Sequence, residues 1–213
     1  MKRKIEEYKY KASTRDYLVA LSNFPCFVKL LNATNKPYLV LHTWLLSNEA
    51  SLLDENRTLP SIKELSQTLG IDSGKITRYL KMMYDEIHEL NEKEPDKFKQ
   101  DGQTLCYLSF NYLGQYVGFN LGLSILPKIG EGFDFYFIKP QNGGSNFYVK
   151  SVNHHYDNMR HTISIQLTYE LPNLYMQLLR EKAYLNHDIS LHDYLSEPSF
   201  SLQEKLVKWY RNL

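Results

Sequence analysis

Cysteine is scarce in this sequence. Cys26 and Cys106 are the only two in 213 residues, too few for a disulfide framework or a thiolate zinc site. No run of 18 or more apolar residues occurs, so no segment is expected to cross a membrane. The basic start, "MKRKIEEYKYK", is not followed by the apolar stretch of a secretory signal. The expectation is a reduced, cytoplasmic protein. A large excess of either charge is also missing, since the formal net charge is +1. That argues against a general polyanion binder and confines any nucleic-acid surface to one part of the molecule. The positive excess lies in residues 1–60, which include Lys2, Arg3, Lys4, Lys9 and Lys11. A basic arm there suits phosphate contacts; a solvated tail is the other reading.

Catalytic motifs are lacking too. There is no Walker loop, no G-x-S-x-G and no paired carboxylates on a recognisable scaffold. Asp134 and Lys139 invite comparison with nucleases, but their spacing supplies no acidic pair. Hence no catalytic residue, no cofactor and no enzyme activity is expected. His154, His155, Asp157 and His161 crowd the stretch "HHYDNMRH". With no second ligand-bearing element elsewhere, this reads as a polar hairpin loop and not as a metal site.

What is present is aromatic side chains and patterned segments. Aromatics make up 14% of the chain and 17 of them are Tyr, which with 43% hydrophobic residues points to a globular core. Three parts follow in order. Residues 1–103 read as helical, with "PYLVLHTWLLSNEA" (37–50) apolar nearly all round and so expected to be a buried helix, and with Pro25 interrupting any helix before it. The polar run 91–103 reads as a helix end and linker. Residues 104–170 alternate with period two: Val117, Phe119, Leu121, Leu123 and Ile125 in one run, Ile163, Ile165, Leu167 and Tyr169 in another. With "TLCYLSFNYL", "FDFYFIK" and "NFYVKSV" they make five candidate strands of an antiparallel region, whose Tyr, Phe and Asn residues are read as ordinary sheet residues in preference to a base-stacking surface. Residues 171–213 return to helix after Pro172, with Ser190 and Asp193 at a capping spacing and Leu202, Leu206 and Trp209 on one stripe. The fold class is therefore α+β.

The segment "SIKELSQTLGIDSGKITRYLKMMYDEI" (61–87) carries the functional signal. Ser61 and Glu64 form a capping box ahead of an apolar stripe that includes Leu65 and Leu69. Gly70 ends that helix where a left-handed residue is cheap, and Asp72 or Ser73 caps the next. In the second helix Ile76, Tyr79, Leu80, Met83, Ile87 and Leu90 share one side. Gly74, Thr77, Arg78 and Lys81 share the other, which further along becomes Asp85, His88 and Glu92 and would repel phosphate. A recognition helix has that gradient, because its first turns enter the major groove and its far end leaves it.

These residues resemble the helix-turn-helix family. Ser66 stands four before the turn glycine, Ile71 follows it, and Ile76 and Tyr79 hold the apolar positions six and nine after it. The family more often has alanine where Ser66 stands, and Gly74 is unusual inside the second helix. With a helix before and the candidate hairpin 104–126 after, the element order is similar to a winged helix-turn-helix, as in bacterial regulators and plasmid replication initiators. The resemblance implies double-stranded DNA as partner and Ser73, Gly74, Lys75, Thr77, Arg78 and Lys81 as contact residues. It implies a transcriptional regulator or a mobile-element replication initiator. The other class left open is a protein-interaction module with a structural winged helix, binding a protein partner or itself through the β region.

Overall fold

The computed structural model describes residues 9–54, 58–157, 160–171, 173–195 and 200–210. The chain divides into two compact units, Met1–Leu171 and Pro172–Leu213. The first is α+β. Helices α1 (Thr14–Asn23), α2 (Pro25–Val28), α3 (Leu39–Ser47), α4 (Glu49–Leu52), α5 (Ile62–Leu69) and α6 (Ser73–Lys93) precede the strands. These are β1 (Thr104–Tyr112), β2 (Gln115–Leu123), β3 (Gly132–Asp134), β4 (Asn146–Asp157) and β5 (Arg160–Thr168), with α7 (Lys139–Asn142) between β3 and β4. The sheet order is β2-β1-β5-β4-β3.

Pro25 does break the N-terminal helical run: α1 ends at Asn23 and Pro25 is the first residue of α2, where its missing N–H costs nothing. Ser13 and Asp16 form a capping box at the start of α1, a signal legible in "STRD". Tyr10 donates to the same carboxylate at 2.8 Å and Lys139 lies 3.6 Å away. Burial raises the Asp16 pKa, but the hydrogen bonds from Ser13 and Tyr10 and the Lys139 charge outweigh it and hold it below its usual value.

The 37–50 segment is not a single buried helix. Asn48 separates α3 from α4, and Pro37 lies outside both. Tyr38, Leu41 and Leu45 enter the core while Leu39 and Val40 face outward, so a segment apolar on all sides buries only one of them. The 91–103 stretch is packed too: Pro95–Phe98 forms a 3₁₀ turn that sends Phe98 into the core beside Phe27 and Phe119.

Residues 104–170 are mostly antiparallel. β1–β2, β3–β4 and β4–β5 pair that way, but β1 lies parallel to β5, with Leu108 opposite Ile165. The β1–β2 hairpin is thus two strands of one sheet. Its core face carries Cys106, Leu108, Phe110, Phe119, Ile163, Ile165 and Leu167. The opposite face across β1 and β5 alternates into Tyr107, Ser109, Asn111, Ser164, Gln166 and Thr168, without a charge. Ile125, expected to continue the β2 stripe, lies beyond the strand and is exposed. "FDFYFIK" is a strand only as far as Asp134. Tyr136–Ile138 is a 3₁₀ turn that leads into α7, so Lys139 is helical. Phe135 and Phe137 join the ring cluster of Phe24, Phe27 and Phe119 that fills the space between helices and sheet.

The β1–β2 turn is tight, with Leu113 at φ 49° and Gly114 at φ 85°. Both central positions need positive φ, which suits glycine and asparagine and penalises a leucine by about 1 kcal/mol. Leu113 is also exposed. Leu113→Asn is therefore expected to raise stability by about 0.5–1 kcal/mol, read as a higher urea midpoint at unchanged slope.

The second unit is helical: α8 (Leu174–Leu185), α9 (Leu191–Leu195) and α10 (Phe200–Trp209). Ser190 and Asp193 cap α9 reciprocally as their spacing suggests. Met176, Leu179, Ala183, Ile189, Leu206 and Tyr210 form its core. Tyr210, four after Leu206, takes the inward place expected of Trp209, which is about half exposed.

Candidate nucleic-acid interface

The helical corner is closed by its own side chains. Ser61 Oγ accepts from the Glu64 amide at 3.2 Å, and Glu64 Oε2 accepts from the Ser61 amide at 2.7 Å. Hydrogen bonds to the Glu64 carboxyl from the Ser61 amide and then from the Ser61 hydroxyl hold it below its usual pKa. Gly70 sits at φ 63°, ψ 27°, and its amide donates to the Ser66 carbonyl. Ser66 Oγ donates to the Ile71 carbonyl at 2.7 Å, so the hydroxyl that departs from alanine at this position fastens the turn. Asp72 Oδ1 then caps α6, accepting from Gly74 N at 2.8 Å and Lys75 N at 3.3 Å. A Cβ on Gly74 would lie 3.0 Å from that same oxygen, which gives the glycine a local reason beside any close approach to a ligand.

α6 buries Ile76, Leu80, Met83, Tyr84, Ile87 and Asn91 against the first unit's core. Asn91 reaches the open edge of β2, donating to the Asn120 carbonyl and accepting from its amide, both at 2.8 Å. Those bonds satisfy the backbone of Asn120 on that edge and tie α6 to the sheet there.

The six residues singled out in sequence do not all have the same surroundings. Ser73, Gly74, Lys75, Arg78 and Lys81 are exposed. Thr77 is half-buried: its hydroxyl lies 3.0 Å from that of Thr14 on α1 and donates to the Ser73 carbonyl at 3.1 Å. The Arg78 guanidinium lies 5.5 Å from the centre of the Tyr79 ring. Lys81 pairs with Asp85 at 3.6 Å, an exposed contact that a stronger anion would displace at little cost. Lys75, Arg78 and Lys81 thus present three cations over two turns, before Asp85 and Glu89 reverse the sign; His88, expected on this outward face, instead turns its ring into the cluster of Tyr84, Phe119 and Phe137.

Sequence reasoning missed the flank supplied by α1. Besides Thr14, Arg15 Nη1 donates to the carbonyls of Leu59 at 3.1 Å and Pro60 at 2.7 Å, tying α1 to the chain just before α5. Tyr17 packs edge-on to Tyr84, and burial raises its phenol pKa against a smaller downward pull from Lys81. Only the capping box at Ser13 announced this helix. Of the basic arm, Lys9 and Lys11 are exposed, while Lys2, Arg3 and Lys4 lie outside the described residues.

The stretch read as a histidine loop is strand. His154 and His155 belong to β4 and His161 to β5, and Asn158 and Met159 lie outside the described residues. Neighbours on a strand point to opposite faces. His154 Nδ1 therefore meets His161 Nε2 at 2.9 Å on one face, with Tyr156 stacked on His161, while His155 meets Ser164 Oγ at 3.1 Å on the other. Among the described residues no group of three or more His, Cys, Asp or Glu is arranged to hold a metal ion. None of their helices is long and apolar enough to cross a membrane. Compared with models of protein families, with curated proteins and with solved structures, the chain matches none.

Proposed function

We propose that the protein is a sequence-specific, non-enzymatic DNA-binding protein that reads duplex DNA with the first turns of α6. Its role would be that of a transcriptional regulator or a replication initiator of a plasmid or other mobile element. One observation carries the reading. A left-handed glycine turn sets a capped helix across α5, and the first two turns of that helix expose Lys75, Arg78 and Lys81 while its other side is anchored in the core. A helix held so rigidly can place a guanidinium on a base edge. The β1–β2 hairpin takes the place of a wing in the order of elements, although its tip, Leu113–Gly114, carries no cation.

The second reading, a protein-interaction module, draws on two observations: Thr77 is already bonded to Thr14, and Lys81 to Asp85. Selection of duplexes from a random pool by the full chain, at near-physiological salt, separates the two. An enriched motif supports DNA recognition; a pool that stays random removes it.

A further inference from the structure

The β4–β5 ribbon runs on past its neighbours. β1 pairs with β5 between Ile163 and Asn111's partner Thr168, and β3 pairs with β4 between Asn146 and Tyr148. From His155 and Thr162 toward the turn, the two strands pair only with each other among the described residues. Two strands alone are marginal without further support. Two exposed histidines meet on one face there. His154 lies across from the buried Ile163, and His161 lies across from Tyr156, on the diagonal to His154. His154 Nδ1 and His161 Nε2 are 2.9 Å apart, with the ring centres 5.2 Å apart and the planes within 12°. The centre distance is the nitrogen separation plus roughly one ring radius at each end, so the rings meet edge to edge. The Tyr156 ring, 4.4 Å away and parallel to His161 within 2°, backs one of the pair.

We propose that His154 and His161 bind a divalent transition-metal ion, Cu²⁺ before Ni²⁺, which clamps β4 to β5 at the end of the ribbon. The separation of the two nitrogens carries the argument. Two imidazole nitrogens bound to one ion at about 2.0–2.1 Å stand about 2.9 Å apart at a right angle and about 3.3 Å apart at the tetrahedral angle. The observed 2.9 Å is the right-angled bite. A turn of the two exposed rings aims both lone pairs at one ion without parting the nitrogens. Right-angled coordination by imidazole suits Cu²⁺ and Ni²⁺, and Cu²⁺ also leads the general order of affinity; Zn²⁺ favours the wider tetrahedral bite. Water completes the coordination, so the site is a pair of protein ligands and not a cage. The sequence reading found no second ligand-bearing element; the strands supply it, since each brings one histidine to the same face. His155 takes no part, because its ring meets Ser164 on the opposite face. The inference is independent of the DNA reading.

Isothermal titration of the full chain with CuCl₂, NiCl₂ and ZnCl₂ at near-neutral pH tests it. Expected is one saturable site of micromolar affinity for Cu²⁺, weaker by about tenfold or more for Ni²⁺ and Zn²⁺. His154→Ala and His161→Ala should each weaken Cu²⁺ binding at least tenfold, and His155→Ala should leave it unchanged. Electron paramagnetic resonance of the one-to-one Cu²⁺ complex should show two imidazole nitrogens. In the unsubstituted chain, added Ni²⁺ should slow amide hydrogen exchange within residues 153–163. No saturable binding up to about 1 mM Cu²⁺ overturns the proposal. So does binding that persists when both His154 and His161 are alanine, which would make the ion adventitious. Ni²⁺-dependent protection confined to other residues overturns it as well. The exchange measurement needs no substitution, so a variant that fails to fold does not rescue the idea.

Discussion

On lowering the pH from about 6.5 to about 4, the protein is expected to lose about 2–3 kcal/mol of stability to a single side chain, His88. Its ring is stacked on Phe137 at 5.3 Å and tilted against Tyr84 at 4.7 Å, with the Phe119 ring edge-on at 5.4 Å. Its Nε2 is buried without a hydrogen-bond partner among the described residues. Burial pushes the imidazole down from 6.5 to about 4, and no neighbouring carboxylate offsets it. Between those two values the unfolded chain takes up a proton that the native state refuses. Stability therefore falls as pH falls through this window and levels off for this group below about pH 4. Asp16 acts lower: its depressed carboxyl gives stability that is lost as pH drops below the usual aspartate value. Urea unfolding from pH 7.5 to 3 reads both effects. His88→Phe should flatten the slope between pH 6.5 and 4 while leaving the loss below pH 4 to which Asp16 contributes. An unchanged slope would place the ring in contact with water.

The helical corner was legible because it is local. Ser61, Glu64, Gly70 and Asp72 act on amides within four residues, so their spacing states the geometry. The parallel pairing of β1 with β5 was not legible, since alternation tells which face of a strand is apolar and nothing about its neighbour. "FDFYFIK" misled for a related reason. Its aromatics fit a strand, yet Phe135 and Phe137 are buried as a turn because the ring cluster around Phe27 and Phe119 accepts them in that form. Tertiary packing also decided the 37–50 segment, where an apolar surround left open which side would stay outside. At the candidate site the exposed cations were readable from helical periodicity. The contact of Thr77 with Thr14 was not, being set by a helix 63 residues away in the chain.

If α6 enters a major groove, substitution of its exposed residues should separate into distinct effects. Arg78 lies exposed at mid-face, and among the described residues its guanidinium is close to the Tyr79 ring, a contact that leaves its N–H fork available. A guanine edge offers two acceptors to that fork. Arg78→Ala should cost about 1–3 kcal/mol on a selected duplex and relax base preference at one position. Lys75 and Lys81 stand to either side of that face and suit phosphates. Loss of either should weaken selected and scrambled duplexes alike and make the log–log salt slope shallower by about one unit. Asp85→Ala frees Lys81 and removes a charge that repels the backbone, so binding should be unchanged or slightly tighter. Thr77→Val provides the contrast that the structure adds. Its hydroxyl already serves Thr14 and Ser73, so its loss should loosen α1 from α6 and lower stability more than base preference. Fluorescence anisotropy with selected and scrambled duplexes over a salt series distinguishes these outcomes. If no duplex binds more tightly than the micromolar level at low salt, the corner is a structural or protein-binding element, and the interaction-module reading replaces DNA recognition.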